Sequence, residues 1–223
     1  MAIASSQQAE ALENLKVIRS LMERASVYRA LSASAALFGG VLATAASAWG
    51  YHHSMGEPAA GQGPTVFALV WLVILALSGG LNVFLLCRDA QLRGQPFISD
   101  GLRMALRNLT PPLLSGGVLG LALIFKMERL VPAALAWIVC YGLALQATVS
   151  FAPKSIIRLA RGFLISGQAL TLAWLFGCDF ASTPSAAAWL LMGLTFGLGH
   201  IIYAVAVFAG RQPLPTSPSP SAR

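Results

Sequence analysis

A single histidine inside an apolar stretch is the residue of this chain best placed to do chemistry. The stretch reads MGLTFGLGHIIYAVAVF, residues 192–208, with His200 near its centre and Tyr203 within one turn of it. A histidine in hydrocarbon can titrate, bind a ligand or hydrogen-bond another helix. Gly193 and Gly197 form a small-xxx-small pair on the same predicted face, which lets a second helix approach closely. We therefore predict that His200 points into a helix bundle.

Three amide side chains lie at comparable predicted depths in other apolar stretches. Counting ~1.5 Å per residue from span centres puts His200 about 4 Å to the cytoplasmic side of the midplane. The same count puts Asn82 and Gln146 about 8 Å to that side, and Gln168 near the centre. One interpretation is a polar cavity that binds a ligand at His200 and Tyr203. We favour the other, a structural network worth about 0.6 kcal/mol per contact in which neutral His200 pairs with an amide.

Other reactive side chains do not form a recognisable site. The predicted outer side carries six potential metal ligands, His52, His53, Met55, Glu57, Cys178 and Asp179. Their spacing matches no known ligand pattern, so no metal site is predicted. The cysteines, Cys87, Cys140 and Cys178, fall at three different depths and cannot pair. No carboxylate lies within an apolar stretch, and no nucleotide, phosphate-loop or hydrolase motif is present, so we predict no cofactor and no enzyme.

The elements that must position these residues are membrane-spanning helices. Hydrophobic residues make up 57% of the 223 residues and charged residues only 10%, which is unusual for a soluble domain. The apolar blocks are about 17 to 25 residues long, enough for a helix to cross the hydrocarbon core. The predicted fold is an all-α polytopic membrane helix bundle. Its six predicted spans are Ala30–Gly50, Val66–Cys87, Leu109–Phe125, Leu130–Phe151, Ile156–Cys178 and Ala186–Ala209.

The distribution of basic residues predicts the orientation of the bundle. Thirteen of the fifteen Lys and Arg residues precede the first span, follow the last, lie between spans two and three or four and five, or lie in the first turns of span five. Only Lys126 and Arg129 lie between spans three and four. By the positive-inside rule both termini are cytoplasmic. The net charge of +7 thus reflects topology and predicts no nucleic-acid partner, while the Ala-, Leu- and Gly-rich composition favours a bacterial plasma (inner) membrane.

Residues 1–29 are predicted to form a cytoplasmic amphipathic helix before the transmembrane domain at 30–210. Leu15, Ile18 and Met22 lie on one narrow apolar stripe surrounded by charged residues. This stripe could lie on the bilayer, pack on the protein's own loops, pair with a second copy or bind another protein. Residues 211–223 alternate Pro with Ser and Thr and predict a disordered cytoplasmic tail. Pro111 and Pro112 are predicted in the first turn of the third span, after a short amphipathic helix that Asp100 caps.

Four sequence segments together resemble a family of bacterial six-span integral membrane proteins with no assigned function. They are ENLKVIRSLMERAS, LTPPLLSGGVLGLAL, LVPAALAWIVCYGLAL and GLTFGLGHIIYAV. The matching positions are Ile18, Arg19, Met22, Pro111, Pro112, Leu113, Leu114, Gly116, Trp137, Tyr141, Gly142, Phe196, Gly197, His200 and Ile201. The resemblance implies six spans and an amphipathic cytoplasmic start, and members are often encoded beside winged-helix transcriptional regulators. It supplies no ligand and no reaction.

These observations lead to two functional expectations. The first is a non-enzymatic membrane regulator or scaffold that engages a protein partner, or a second copy of itself, through the N-terminal helix. The alternative is a small-solute permease with a polar cavity around His200. The first is favoured because no intramembrane carboxylate or second histidine accompanies His200.

Overall fold

The structure is a computed structural model that describes residues 13–17, 32–55, 63–92, 94, 100–150 and 152–210. Every regular element in these ranges is a helix, which confirms the all-α prediction for the part of the chain described. Residues 13–17 are helical, and the rest of the predicted N-terminal helix and the tail lie outside the described residues. Six longer helices follow, namely α1 Ala33–Met55, α2 Gly63–Leu92, α3 Asp100–Met127, α4 Leu130–Gln146, α5 Lys154–Leu175 and α6 Pro184–Ala209.

Five of these helices, all except α4, are long and apolar enough to cross a membrane, which indicates a membrane protein. Helix α4 has 17 residues and ends at Gln146, not at the predicted Phe151. Its end is stabilised by the hydroxyl of Thr148, which donates a hydrogen bond of 2.7 Å to the carbonyl of Leu145. The chain then turns over 147–150. Six crossings therefore remain a prediction.

Helix α3 differs from the sequence prediction in its start. The short amphipathic helix and the third span are one continuous helix, with Pro111 and Pro112 in its interior. The prediction that these prolines lie in a first turn is therefore wrong. Apolar helices tolerate interior proline because neighbouring helices and small local adjustments satisfy the freed carbonyls.

The helices form a closed ring, in which each helix contacts the next one along the chain and α6 contacts α1. Helix α1 packs along the whole of α6 and also on α2, while α4 packs on α3, on α5 and on the first half of α6. Helix α5 contacts the second half of α6, and α2 touches α3 only slightly. The main core lies where α1, α2, α4 and α6 meet, around buried Phe67, Ile138 and Trp189.

Short capped connections hold α5 and α6 side by side. After α5 the N–H groups of Gly177 and Cys178 donate to the carbonyls of Trp174 and Ala173, the paired bonds of a Schellman motif. Gly177 has a φ of +84°, which favours glycine at this position. Helix α6 begins after Thr183, whose hydroxyl accepts a 3.1 Å bond from the N–H of Ala186. This connection makes α5 and α6 antiparallel neighbours.

Helix α6 contains one irregular segment. Residues Gly193–Leu198 form a π-helix between the α-helical segments Pro184–Met192 and Gly199–Ala209. Such segments insert one extra residue into an α-helix and occur frequently at functional sites. The segment lies immediately before His200, so it determines which neighbours this histidine faces.

Candidate functional site

His200 lies just inside the second α-helical part of α6 and both of its ring nitrogens are hydrogen-bonded. Nδ1 lies 2.8 Å from the carbonyl oxygen of Phe196, which can only accept, so Nδ1 carries a proton and donates. Nε2 lies 2.8 Å from the hydroxyl of Tyr141 on α4. With the proton on Nδ1, a neutral imidazole accepts the Tyr141 hydroxyl proton at Nε2. The two hydrogen bonds therefore join α4 to α6, and an uncharged histidine satisfies both of them.

Three aromatic rings surround His200. The ring centroids of Tyr141 and Phe163 each lie 5.4 Å from the imidazole centroid, and the Phe196 ring stacks on it at 6.0 Å and 11°. The three rings also contact one another at 4.7–5.0 Å. Such edge-to-face and tilted pairs are favourable beyond the area they bury. We call Tyr141, Phe163, Phe196 and His200 the histidine cluster.

The histidine cluster continues into a second group of aromatic rings. Trp71 lies 6.3 Å from Phe196 and 6.0 Å from Trp189, and Phe67 contacts Trp189 at 4.9 Å and stacks with Trp137 at 6.0 Å. The rings therefore form a packed column from α2 through α6 to α4. Trp71, Trp137 and Trp189 thus pack the interior of the bundle.

The amides predicted at comparable depths do not join His200. Gln168 is exposed on α5, and Asn82 is half-buried on the second half of α2. Gln146 is the last residue of α4, where its Oε1 is buried without a hydrogen-bond partner among the described residues. Neither hydrogen bond of His200 reaches any of the three amides, because its partners are Tyr141 and Phe196. The favoured interpretation, in which neutral His200 pairs with an amide, is therefore wrong in its partner, since His200 pairs with Tyr141.

Tyr141 is the functional neighbour that sequence reasoning did not assign to His200. It lies three residues past the midpoint of α4, or about 4.5 Å toward the same end as His200. Because the fourth span was predicted to end at Phe151, its predicted centre fell near Tyr141. The similar depth of Tyr141 and His200 was therefore not apparent from the sequence. The pair could have been found by counting tyrosine among the polar intramembrane groups, since its hydroxyl needs a partner when buried.

Gly193 and Gly197 contact α1, not the histidine cluster. A Cβ at Gly193 would lie 2.6 Å from Cβ of Ser47, and one at Gly197 would lie 2.5 Å from Oγ1 of Thr44 and 3.1 Å from its backbone nitrogen. The two glycines thus allow α6 to lie directly on α1. His200 faces α4 and α5 instead, because the π-helical segment changes the register between the glycines and the histidine.

Tyr203 lies on the α5 side of α6. It is half-buried and packs near buried Ile156 and Ala160 of α5. It also lines a groove between α5 and α6, together with Arg158 and Ser155. Tyr203 makes neither hydrogen bond of His200, but it packs on the same small buried cluster as Tyr141.

The predicted partner surface is described only in part. Residues 13–17 are helical and exposed, and Leu15 is 61% exposed. Ile18 and Met22 lie outside the described residues. At the end of the bundle predicted to lie outside, no three His, Cys, Asp or Glu side chains of the described ranges converge on a common point, and Glu57 lies outside those ranges. Cys87, Cys140 and Cys178 are all free thiols.

Comparisons of the chain with protein-family models, with curated proteins and with solved structures find no match. The resemblance to bacterial six-span proteins therefore stays a prediction. Function must be argued from the geometry of this chain alone.

Proposed function

We propose that this chain is a six-span protein of a bacterial plasma (inner) membrane with both termini in the cytoplasm. We further propose that it acts as a non-enzymatic regulator or scaffold whose N-terminal helix binds a protein partner. The observation that carries the second proposal is Leu15, an apolar side chain 61% exposed on a helical segment that is exposed throughout 13–17. An apolar stripe along a charged helix is most stable when another surface covers it.

The ends of the described helices support the proposed orientation. In a sequentially antiparallel bundle, basic residues of the described helices lie at one end. They include Arg88 near the end of α2, Arg103 and Arg107 near the start of α3, and Lys154 and Arg158 at the start of α5. The opposite end has only Lys126 and Arg129. This asymmetry favours a cytoplasmic location for the first end.

The surroundings of His200 support a structural role more than a transport role. Both ring nitrogens are engaged by protein groups, and three aromatic rings enclose the imidazole. A small-solute permease that used His200 would have to break the bond to Tyr141 to bind its solute. This requirement makes the permease the weaker alternative, and a flux assay in proteoliposomes tests it separately.

The partner proposal is tested by crosslinking in native membranes followed by mass spectrometry. The variant Leu15→Glu plus Ile18→Glu places two charges in the apolar stripe and should reduce recovery of the specific partner at least about tenfold. Lys16→Glu is the matched control, because it changes the net charge by the same two units at an exposed position off the stripe. It should leave partner recovery near the wild-type level.

Two outcomes of this experiment would reject the partner proposal. Equal recovery of crosslinked proteins from both variants would mean that the stripe rests on lipid or on the protein's own loops. Equal loss from both would mean that charge alone, not the apolar stripe, governs recovery. Size-exclusion profiles of the variants check that the membrane helices remain folded.

A further inference from the structure

A groove of about 670 Å³ runs between α5 and the second half of α6. This volume lies in the range of small-molecule and cofactor sites, about 300–1,000 Å³. Its walls are mainly apolar, and the ring of Phe163, a member of the histidine cluster, forms part of the inner wall. The groove therefore adjoins the aromatic core but opens on the outer surface of two apolar helices.

Small residues create the width of the groove. Gly162 and Ala169 on α5 and Gly199 and Ala206 on α6 line it. A Cβ built at Gly162 meets no atom within 4 Å, so the space beside it is open. Two helices with small residues usually pack closely. Here the small side chains border an open channel, which leaves a long narrow space for another molecule.

Among the described residues that line the groove, the one charged side chain lies at one end. Ser166 and Thr195, which line it farther along, donate their hydroxyl protons to carbonyls of their own helices. Arg158, Ser155 and Tyr203 line the end where α5 begins and α6 approaches its last turns. The side chain of Arg158 is anchored by a 3.3 Å bond from Nε to the carbonyl of Lys154. Neither α5 nor α6 contains an Asp or Glu, so no acidic residue of these helices balances the basic end. An anionic group fits there by charge.

The length of the groove fits a hydrocarbon chain. Its lining on α5 runs from Ser155 to Leu170, about 22 Å at 1.5 Å per residue. One leaflet contributes about 15 Å of the hydrocarbon core. A chain that starts at the basic end therefore finds mainly apolar walls over the depth of its leaflet.

We propose that this groove is a binding site for a phospholipid with an anionic headgroup, its phosphate at Arg158, Ser155 and Tyr203 and one acyl chain along Gly162 and Ala169. Basic pockets between membrane helices bind anionic headgroups in this way. Arginine suits a phosphate because its guanidinium can donate two parallel hydrogen bonds. The site requires only that α5 and α6 lie in a bilayer, so it does not depend on the proposed partner or on the number of spans.

The headgroup is tested by native mass spectrometry of the full chain titrated with phosphatidylglycerol or phosphatidylcholine. Wild type should retain one phosphatidylglycerol far more strongly than phosphatidylcholine. Arg158→Gln should weaken phosphatidylglycerol binding about tenfold. Arg161→Gln is the matched control, because Arg161 is also exposed on α5 but does not line the groove. It should change binding less than about twofold.

The acyl chain is tested by filling the groove. Gly162→Leu places a side chain in the open space and should also weaken phosphatidylglycerol binding about tenfold, with Ala169→Leu as a second blocking variant. Gly79→Leu is the control, because Gly79 on α2 is also a helical glycine with no atom within 4 Å of a built Cβ. Thermal unfolding of each variant verifies that the bundle is intact.

Three results would overturn the proposal. Equal retention of the two lipids by wild type would mean that only ordinary annular lipid is bound. Unchanged binding in both blocking variants would place the lipid elsewhere on the surface. Glycerol phosphate that protects the protein from thermal unfolding as well as the intact lipid does would show a phosphate site without an acyl-chain groove.

Discussion

At the scale of single residues, the bond between Tyr141 and His200 changes the interpretation of the intramembrane histidine. A lone histidine in an apolar helix suggests proton transfer or ligand binding. With Tyr141 as donor and the Phe196 carbonyl as acceptor, the imidazole needs no further partner. Its role in this geometry is to join α4 to α6 inside an aromatic cluster.

A double-mutant cycle should measure this bond. Tyr141→Phe and His200→Phe each remove one partner while keeping a ring of similar size, and the double variant removes both. We expect a coupling energy of about 0.6 kcal/mol and at most about 1.7 kcal/mol, the range found for interhelical hydrogen bonds in membranes. The measurement is the free energy of unfolding in mixed micelles by steric trapping. Additive effects of the two single changes would contradict the bond.

His200 itself and its inward direction could be predicted from sequence, but its partner could not. Asn82, Gln146 and Gln168 were predicted as possible partners of His200 because amides are strongly polar and these three lie at comparable predicted depths. Depth along a helix does not determine direction around it, and Gln168 proves to be exposed. The direction depends on how the helices are rotated, which the composition of a uniformly apolar stretch does not reveal.

At the scale of elements, α6 depends on its contact with α1. The backbone of Thr44 lies so close to Gly197 that a side chain there cannot be accommodated by rotation of a neighbour alone. Other close contacts follow the same principle, for example Gly116 of α3, where a Cβ would lie 2.5 Å from Cβ of Cys140. Small residues of this kind allow membrane helices to associate by direct packing.

Gly197→Ala should therefore destabilise the bundle by about 1–3 kcal/mol, because the added methyl group forces α6 away from α1. Gly117→Ala on α3 is the matched control, since a Cβ there meets no atom within 4 Å. The control should be neutral or slightly stabilising, because alanine favours the helix. The measurement is the free energy of unfolding of each variant relative to wild type. Equal values for the two variants would show that the α1–α6 contact is not close.

Most of the helices were predictable, but some of their ends were not. Apolar block length located all six described helices. Pro111 and Pro112 suggested a helix start, yet in an apolar helix tertiary packing overrides the local preference of proline. The end of α4 at Gln146 was not predicted because Ala147, Val149 and Phe151 are still apolar, while the hydroxyl of Thr148 stabilises a turn.

At the scale of the whole molecule, the crossing of α4 decides the topology. If its 17 residues span a thinned or well-matched part of the bilayer, the chain crosses six times and its ends share one side. If α4 does not cross, the chain crosses five times and α5 and α6 reverse their directions. The basic residues favour six crossings, since five would leave Lys154, Arg158 and Arg161 outside.

Fusions to alkaline phosphatase distinguish these topologies in a bacterial host, because the enzyme needs disulfides that form only outside the cytoplasm. We expect activity from fusions after Glu57, Glu128 and Asp179, and no activity after Gly94 and Ala152. With five crossings, the fusion after Ala152 would be active and the one after Asp179 inactive. A cytoplasmic reporter at the same five positions serves as the reciprocal control.

Because of the π-helical segment, the packing of α6 depends on the number of its residues as well as on their side chains. Deleting one residue such as exposed Leu194 would allow α6 to return to a regular α-helix. Its second half would then rotate by about 100° relative to the first. His200 would lose Tyr141 although both residues were still present. Related chains would therefore keep ten residues between Trp189 and His200, and a gap in that interval of an alignment would mark a bundle with a different interior.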